Sequence, residues 1–251
     1  MGRWIAENKD TLNICYVVQT GDIVENGFEP LHWERFDLCY LQFRDIIPYF
    51  PIAGNHDIAV NHNDYAAYLE RPFLKAFSPE CMFENGKAVY ATVYAGGLKF
   101  LLIGAGWDME DAAVEWMNTV IAAHADHCVI LLFHSYIQYN GKFSIPGKHM
   151  FEQVVIPNPN VRLVLCGHWN GFMGFRADEI DDTGDDVADR VVYAMMYNYQ
   201  DALSWQAGQL RILEFDPLTH SLTVSTYSPY TGSYYVDYPH NAAVFTIEDA
   251  F

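Results

Sequence analysis

Basic residues are scarce in this chain. Against 32 Asp and Glu stand only 14 Lys and Arg, a formal charge of −18 over 251 residues. A surface so acidic repels nucleic-acid phosphates and anionic lipid, which excludes a general polyanion-binding protein. Also missing is any apolar run near the roughly 20 residues that a membrane-spanning helix needs. The five cysteines, Cys15, Cys39, Cys81, Cys128 and Cys166, include no C-x-x-C pair, and their odd number argues against a complete disulfide framework. Three of them lie in or beside apolar strand-like runs, where a thiol serves as a small hydrophobe. No low-complexity linker, internal repeat or N-terminal signal sequence is visible. What the chain does have is 51% hydrophobic and 16% aromatic residues, enough for a sizeable core and too much for disorder.

Taken in order, Gly2–Lys9 reads as a short helix and Ile14–Gln19 as a strand that runs into Thr20-Gly21-Asp22. A helix placed just before an interior-looking strand is normally the crossover from an earlier parallel strand, so an upstream strand is expected. Pro30–Phe43 has Trp33, Phe36, Tyr40 and Phe43 at helical spacing. Ile46–Ala53 is the next strand, delivering Gly54-Asn55-His56-Asp57, and Asn61–Pro79 an irregular aromatic excursion over the site mouth. Ala88–Tyr94 and Leu98–Gly104 form a hairpin around Gly96-Gly97. Val114, Met117 and Ile121 give Asp111–His124 one apolar helical face. Val129–Phe133 ends at His134; a short helix lies near Lys148–Val154; Val161–Cys166 ends at Gly167-His168-Trp169-Asn170. Asp178–Asp189, with seven acidic side chains, reads as a solvated loop. The strands Val191–Met196, Gln209–Phe215, Ser221–Tyr227 and Ala243–Ile247 follow. Successive βα units and then mainly antiparallel strands predict an α/β fold: one domain over residues 1–251, with two packed mixed β-sheets flanked by helices.

Four of these runs therefore end in metal-capable groups: Asp22, then Asn55-His56-Asp57, then His134, then His168 with Asn170. Carboxyl ends of strands in an open α/β sheet meet at one crevice. Imidazole nitrogen with carboxylate and amide oxygen suits first-row divalent or trivalent ions better than a thiolate set would. Taken singly each residue has a plainer use: Asp22 as a turn cap, His134 as a core histidine, Asn55-His56-Asp57 as a polar turn. The shared position at strand ends is what favours ligation. Gly104-Ala105-Gly106 lacks the third glycine of a dinucleotide loop, and Ser135 lacks the G-x-S-x-G elbow. His124, His127, His149, His220 and His240 are assigned no role. Trp107, Tyr136, Trp169 and Tyr199 could line a pocket, although core packing is the commoner use of such rings.

In order and spacing these motifs resemble the calcineurin-like metallophosphoesterase superfamily, which includes purple acid phosphatases and phosphodiesterases. Its signature runs Asp-x-His, Gly-Asp, Gly-Asn-His-Asp/Glu, a lone His after a strand, and Gly-His-x-His. Here stand Gly21-Asp22, Gly54-Asn55-His56-Asp57, Phe133-His134-Ser135 and Gly167-His168-Trp169-Asn170. The resemblance covers about Ile14 to Gly171, with the later strands similar to the second sheet. It implies that Asp22 bridges two metal ions, that Asn55, His134 and His168 complete the ligands of one, and that His56 assists the leaving group with Asp57 holding its ring. Asn170 stands where the family has its last histidine, and is a ligand candidate through its amide oxygen. The opening Asp-x-His is absent, so the resemblance implies an N-terminally truncated domain whose full-length form carries two ions (Mn, Fe, Zn or Mg). The implied activity is hydrolysis of a small phosphate mono- or diester by metal-activated water. The alternative is a non-catalytic relative that holds at most one ion. Location stays open between secreted or cell-surface and cytoplasmic, and so does oligomeric state.

Overall fold

In a computed structural model the chain is described over residues 1–58, 64–200, 208–235 and 243–251. His240 and part of the Asn61–Pro79 excursion lie outside these residues. The elements in order are α1 (Gly2–Asn8), β1 (Val17–Gln19), α2 (Pro30–Tyr40), β2 (Tyr49–Pro51), α3 (Ala66–Leu69), β3 (Met82–Phe83), β4 (Ala88–Ala95), β5 (Leu98–Ala105), α4 (Asp111–Ala123), β6 (Cys128–Phe133), α5 (Ile145–Met150), β7 (Val161–Cys166), β8 (Phe172–Ile180), β9 (Arg190–Asn198), β10 (Leu210–Asp216), β11 (Ser221–Ser228), β12 (Ser233–Tyr235) and β13 (Val244–Ile247).

A seven-stranded mixed sheet in the order β3-β4-β5-β6-β7-β9-β8 forms the centre. The strands β5, β6, β7 and β9 are mutually parallel, so their carboxyl ends emerge on one side. Side chains alternate across this sheet, as a period of two dictates. Phe100, Leu102, Ile130, Leu132, Leu163, Leu165 and Met195 face one core, which they share with Phe50, Ile52, Leu222, Val224 and Ile247. Leu101, Ile103, Val129, Leu131, Val164, Ala194 and Met196 face the other, against Val114, Met117, Val120 and Ile121 of α4 and Val154 and Val155 beyond α5. Each such aliphatic side chain contributes roughly 1.5–3 kcal/mol on full burial. The layer across this core comes in two pieces: a parallel pair β1–β2, and an antiparallel group in which β11 pairs with β10 on one edge and with β12 and β13 on the other.

This is the mixed α/β architecture of packed sheets and flanking helices expected from the sequence. Some details differ. The Ile14–Gln19 and Ile46–Ala53 runs contribute three paired residues each: among the described residues β1 and β2 pair with each other alone, and Pro48 and Pro51 lack amide donors. The helix near Lys148 begins earlier, at Ile145, where the Ser144 hydroxyl accepts the Gly147 N–H at 3.0 Å. Part of the acidic stretch is not loop, since Asp178–Ile180 close β8. As an edge strand, β8 carries charges that blunt pairing with other chains, and this broke the alternation by which it would have been read. Its Gly174 is required where the Gln138 carbonyl lies against the backbone. The β4–β5 hairpin turns as expected through Gly96 and Gly97, both at positive φ (59° and 80°).

Candidate metal centre

Parallel strands place the ends of β1, β2, β6 and β7 side by side, and four lone-pair atoms meet there. Asn55 Oδ1 lies 3.0 Å from His134 Nε2 and 3.0 Å from His168 Nδ1. The two ring nitrogens are 3.2 Å apart, and Asp22 Oδ2 lies 3.1 Å from His134 Nε2. Among the described residues, Asp22, His134 and His168 are the one group of three His, Cys, Asp or Glu whose ligand atoms all lie within 4.8 Å of each other.

Local backbone geometry aims each group. Asp22 sits at φ +49° directly after Gly21 at +93°, a pair of left-handed residues that reverses the chain at the end of β1. Its Oδ1 accepts the His56 N–H at 3.1 Å, which leaves Oδ2 toward the histidines. Gly54 must be glycine, because a Cβ there would collide with the Asp22 backbone and carboxylate. His134 gives its Nδ1–H to the Thr20 carbonyl at 2.6 Å, so in the neutral ring Nε2 is the bare nitrogen facing the cluster. His168 is at φ +68°, and two hydrogen bonds tie its loop down: Gly167 N–H to the His134 carbonyl at 3.0 Å and Asn198 Nδ2 to the His168 carbonyl at 3.0 Å.

Electrostatics keep this set proton-poor. Burial alone pushes the Asp22 carboxyl up, but hydrogen bonding and charge from His134, with the His56 amide, outweigh it and hold the group below its ordinary value. Burial, reinforced by His134, pushes His168 down to about 4, so its ring is neutral at pH 7. Asp22 Oδ2, Asn55 Oδ1 and the two ring nitrogens thus meet at 3.0–3.2 Å, a spacing that a ring proton or a cation between them would hold. Two adjacent ligands about 2.1 Å from a six-coordinate ion are themselves about 3.0 Å apart. The donor set fits a borderline-hard first-row ion.

The remaining candidates fall around this cluster. His56 is partly exposed, and its Nδ1 is 2.7 Å from the Glu25 carbonyl, with the Glu25 carboxylate at 3.8 Å. Glu25, and not Asp57, thus holds the His56 ring. Asp57 is fully buried; its Oδ2 accepts Gly54 N–H at 2.7 Å and its Oδ1 Val24 N–H at 2.9 Å. Burial pushes its carboxyl up to about 7, against the pull of the Gly54, Val24 and Ile23 amides. A carboxylate occupied by backbone amides is a staple between two loops, which corrects its expected role on the ring. Asn170 is exposed, and its Oδ1 accepts Asn198 Nδ2 at 3.2 Å rather than joining the four-atom cluster. Sequence reasoning missed Thr20, Glu25 and Asn198. Only Asn198 carried a signal, since it too ends a parallel strand. Trp107 is partly buried against the first core, with its ring 4.7 Å from that of His168 and 5.6 Å from that of His134. Tyr136 is buried, whereas Tyr199 accepts a 2.7 Å bond from Arg211 Nε.

Comparison with known proteins agrees with this geometry. The sequence model of the calcineurin-like phosphoesterase family matches residues 2–171. The chain is 37% identical over 232 residues to the uncharacterized protein YvnB of Bacillus subtilis (strain 168), covering 90% of this chain and 18% of that protein. It is 23% identical over 169 residues to a probable cyclic nucleotide phosphodiesterase of Colwellia psychrerythraea, covering 65% of this chain and 59% of that one. It therefore spans about a fifth and about three-fifths of these relatives' lengths. In fold it is similar to the purple acid phosphatase PPD1 of yellow lupin (Lupinus luteus) seeds, with a TM-score of 0.58 at 14% identity over 98% of this chain and 48% of that one.

Proposed function

Because this chain belongs to the calcineurin-like phosphoesterase family, we propose that it hydrolyses a small phosphate ester with the help of metal, held by Asp22, Asn55, His134 and His168. The observation that carries the proposal is the convergence of four potential ligand atoms at 3.0–3.2 Å. When bound, an ion there supplies Lewis-acid polarisation of the phosphoryl group and a more acidic water. It also inverts the field of a −18 chain at the one point where an anionic substrate must approach.

The protein's own groups divide the remaining work. Asp22 splits its carboxylate between the His56 amide and the cluster, so its free oxygen is fixed before any ion binds. The Thr20 carbonyl, 2.6 Å from His134 Nδ1, favours the tautomer that leaves Nε2 bare. His56 has Nδ1 committed to Glu25, so a proton delivered to a departing alkoxide leaves from Nε2. The diester reading draws on the phosphodiesterase named among the relatives. A second ion would need ligands beyond these four residues.

Metal content and the hydrolysis of p-nitrophenyl phosphate and bis(p-nitrophenyl) phosphate test the proposal. The expectation is bound metal, turnover abolished by chelator and by His168→Ala, and a kcat about 100-fold lower in His56→Ala at unchanged metal content. Turnover indifferent to both chelator and His168→Ala would overturn it. One bound ion without turnover would support the non-catalytic reading, which the single cluster among the described residues also fits.

A further inference from the structure

The two ligand histidines are held in different ways. His134 has the usual support, its outer nitrogen bonded to a carbonyl. His168 turns Nδ1 into the cluster, and among the described residues no hydrogen bond fixes its Nε2. The Trp107 indole lies against the ring instead, 4.7 Å away at an interplanar angle of 46°. Trp169 also adjoins the ring, at 5.2 Å and 83°, and its Nε1–H is spent on the Ser135 hydroxyl at 3.0 Å.

Trp107 is itself firmly placed. It follows β5, as His134 follows β6 and His168 nearly follows β7, so three parallel strand ends bring the rings together. Its N–H donates to the Ala53 carbonyl at 2.9 Å, and its carbonyl accepts the Tyr65 hydroxyl at 2.5 Å. The close approach to Ala53 needs Gly106, where a Cβ would come within 2.7 Å of the Tyr65 oxygen and 3.1 Å of the Ala53 Cβ. Ala53 lies two residues before Asn55, so the same tryptophan also braces the loop that supplies the amide ligand. The partly buried indole thus packs beside two imidazoles, tilted against His168 and edge-on to His134.

We infer that Trp107 is a positioning residue for the metal centre: its ring sets the orientation of His168, as the Thr20 carbonyl sets that of His134. The inference rests on the metal-binding reading proposed above. Outer support of a ligand histidine is typically worth 10–100-fold in metal affinity.

The test is Mn²⁺ and Co²⁺ binding to the whole chain by calorimetry, with the Co²⁺ visible spectrum as the report on ligand geometry. Trp107→Leu, which keeps apolar volume but has no ring face, should weaken binding at least tenfold and alter the Co²⁺ bands. Trp107→Phe should restore both. In a His168→Ala background Trp107→Leu should cost nothing further, since the ring it orients is gone. Wild-type-like affinity and spectrum in Trp107→Leu would overturn the inference while leaving the metal site standing, and so would an equal loss with and without His168. Wild-type protein that binds neither ion would overturn the metal reading, and this inference with it. If Trp107→Leu fails to fold, Trp107→Phe decides: a metal affinity lowered as far as tenfold despite a native melting curve would also count against a ring-face role.

Discussion

Asp57 Oδ2 accepts the backbone N–H of Gly54 at 2.7 Å, three residues back in the same turn. Its other oxygen reaches Val24, in the loop that follows Asp22. One buried carboxylate thus locks together the two loops, from β1 and β2, that carry Asp22 and Asn55. Asp57→Ala leaves these buried amides without acceptors and should destabilise the fold by about 2–5 kcal/mol. A lower urea midpoint at unchanged slope would show it. If Asp57 served only to orient His56, stability would stay within about 0.5 kcal/mol of wild type.

Gly54→Ala brings a Cβ against the Asp22 carboxylate and backbone and within 2.8 Å of His134 Cε1. Asp22 must move, so metal affinity should fall more than tenfold while far-UV circular dichroism stays native. Calorimetric titration with Mn²⁺ checks this. Undiminished affinity would mean that Asp22 is not a ligand.

An ion bound only by the folded chain should raise its melting temperature. At a free concentration 100 times Kd the gain is about 2.7 kcal/mol, or roughly 5–10 °C for a domain of this size. The shift should vanish with chelator and in His134→Ala. An equal shift in His134→Ala would locate the ion elsewhere.

The five thiols are free, but not alike. Cys166 is fully buried in β7, where burial pushes its thiol up to about 12. At pH 8 its reactive thiolate is therefore scarce. Cys15 is exposed. Thiol titration of the native chain at pH 8 should label Cys15 promptly and Cys166 only after denaturant is added. Prompt labelling of Cys166 in native protein would contradict the packing of the core beneath α5.

The positions of the site residues were legible before any coordinates. An apolar run followed by Gly-Asp, Gly-Asn-His-Asp, His or Gly-His is a local pattern, and parallel pairing makes every such run end on the same side. Hence Asp22, Asn55, His134 and His168 could be grouped from the chain alone, as could the α/β class and the Gly96-Gly97 hairpin.

What each group touches was decided only in three dimensions. Asp57 follows His56 in the chain, yet its carboxylate turns to the amides of Gly54 and Val24, because buried N–H groups compete for an acceptor that neighbouring residues can supply only after the loops dock. The partners Thr20 and Glu25 act through backbone carbonyls, which every residue has and no sequence pattern can mark. Trp107 reads as one more core aromatic until parallel pairing sets its ring beside two imidazoles drawn from strands that are remote in sequence. Sequence determined where the strands deliver polar groups, because that is a property of short runs. Contact between atoms far apart in the chain is a property of the packed sheets, and only the tertiary structure could decide it.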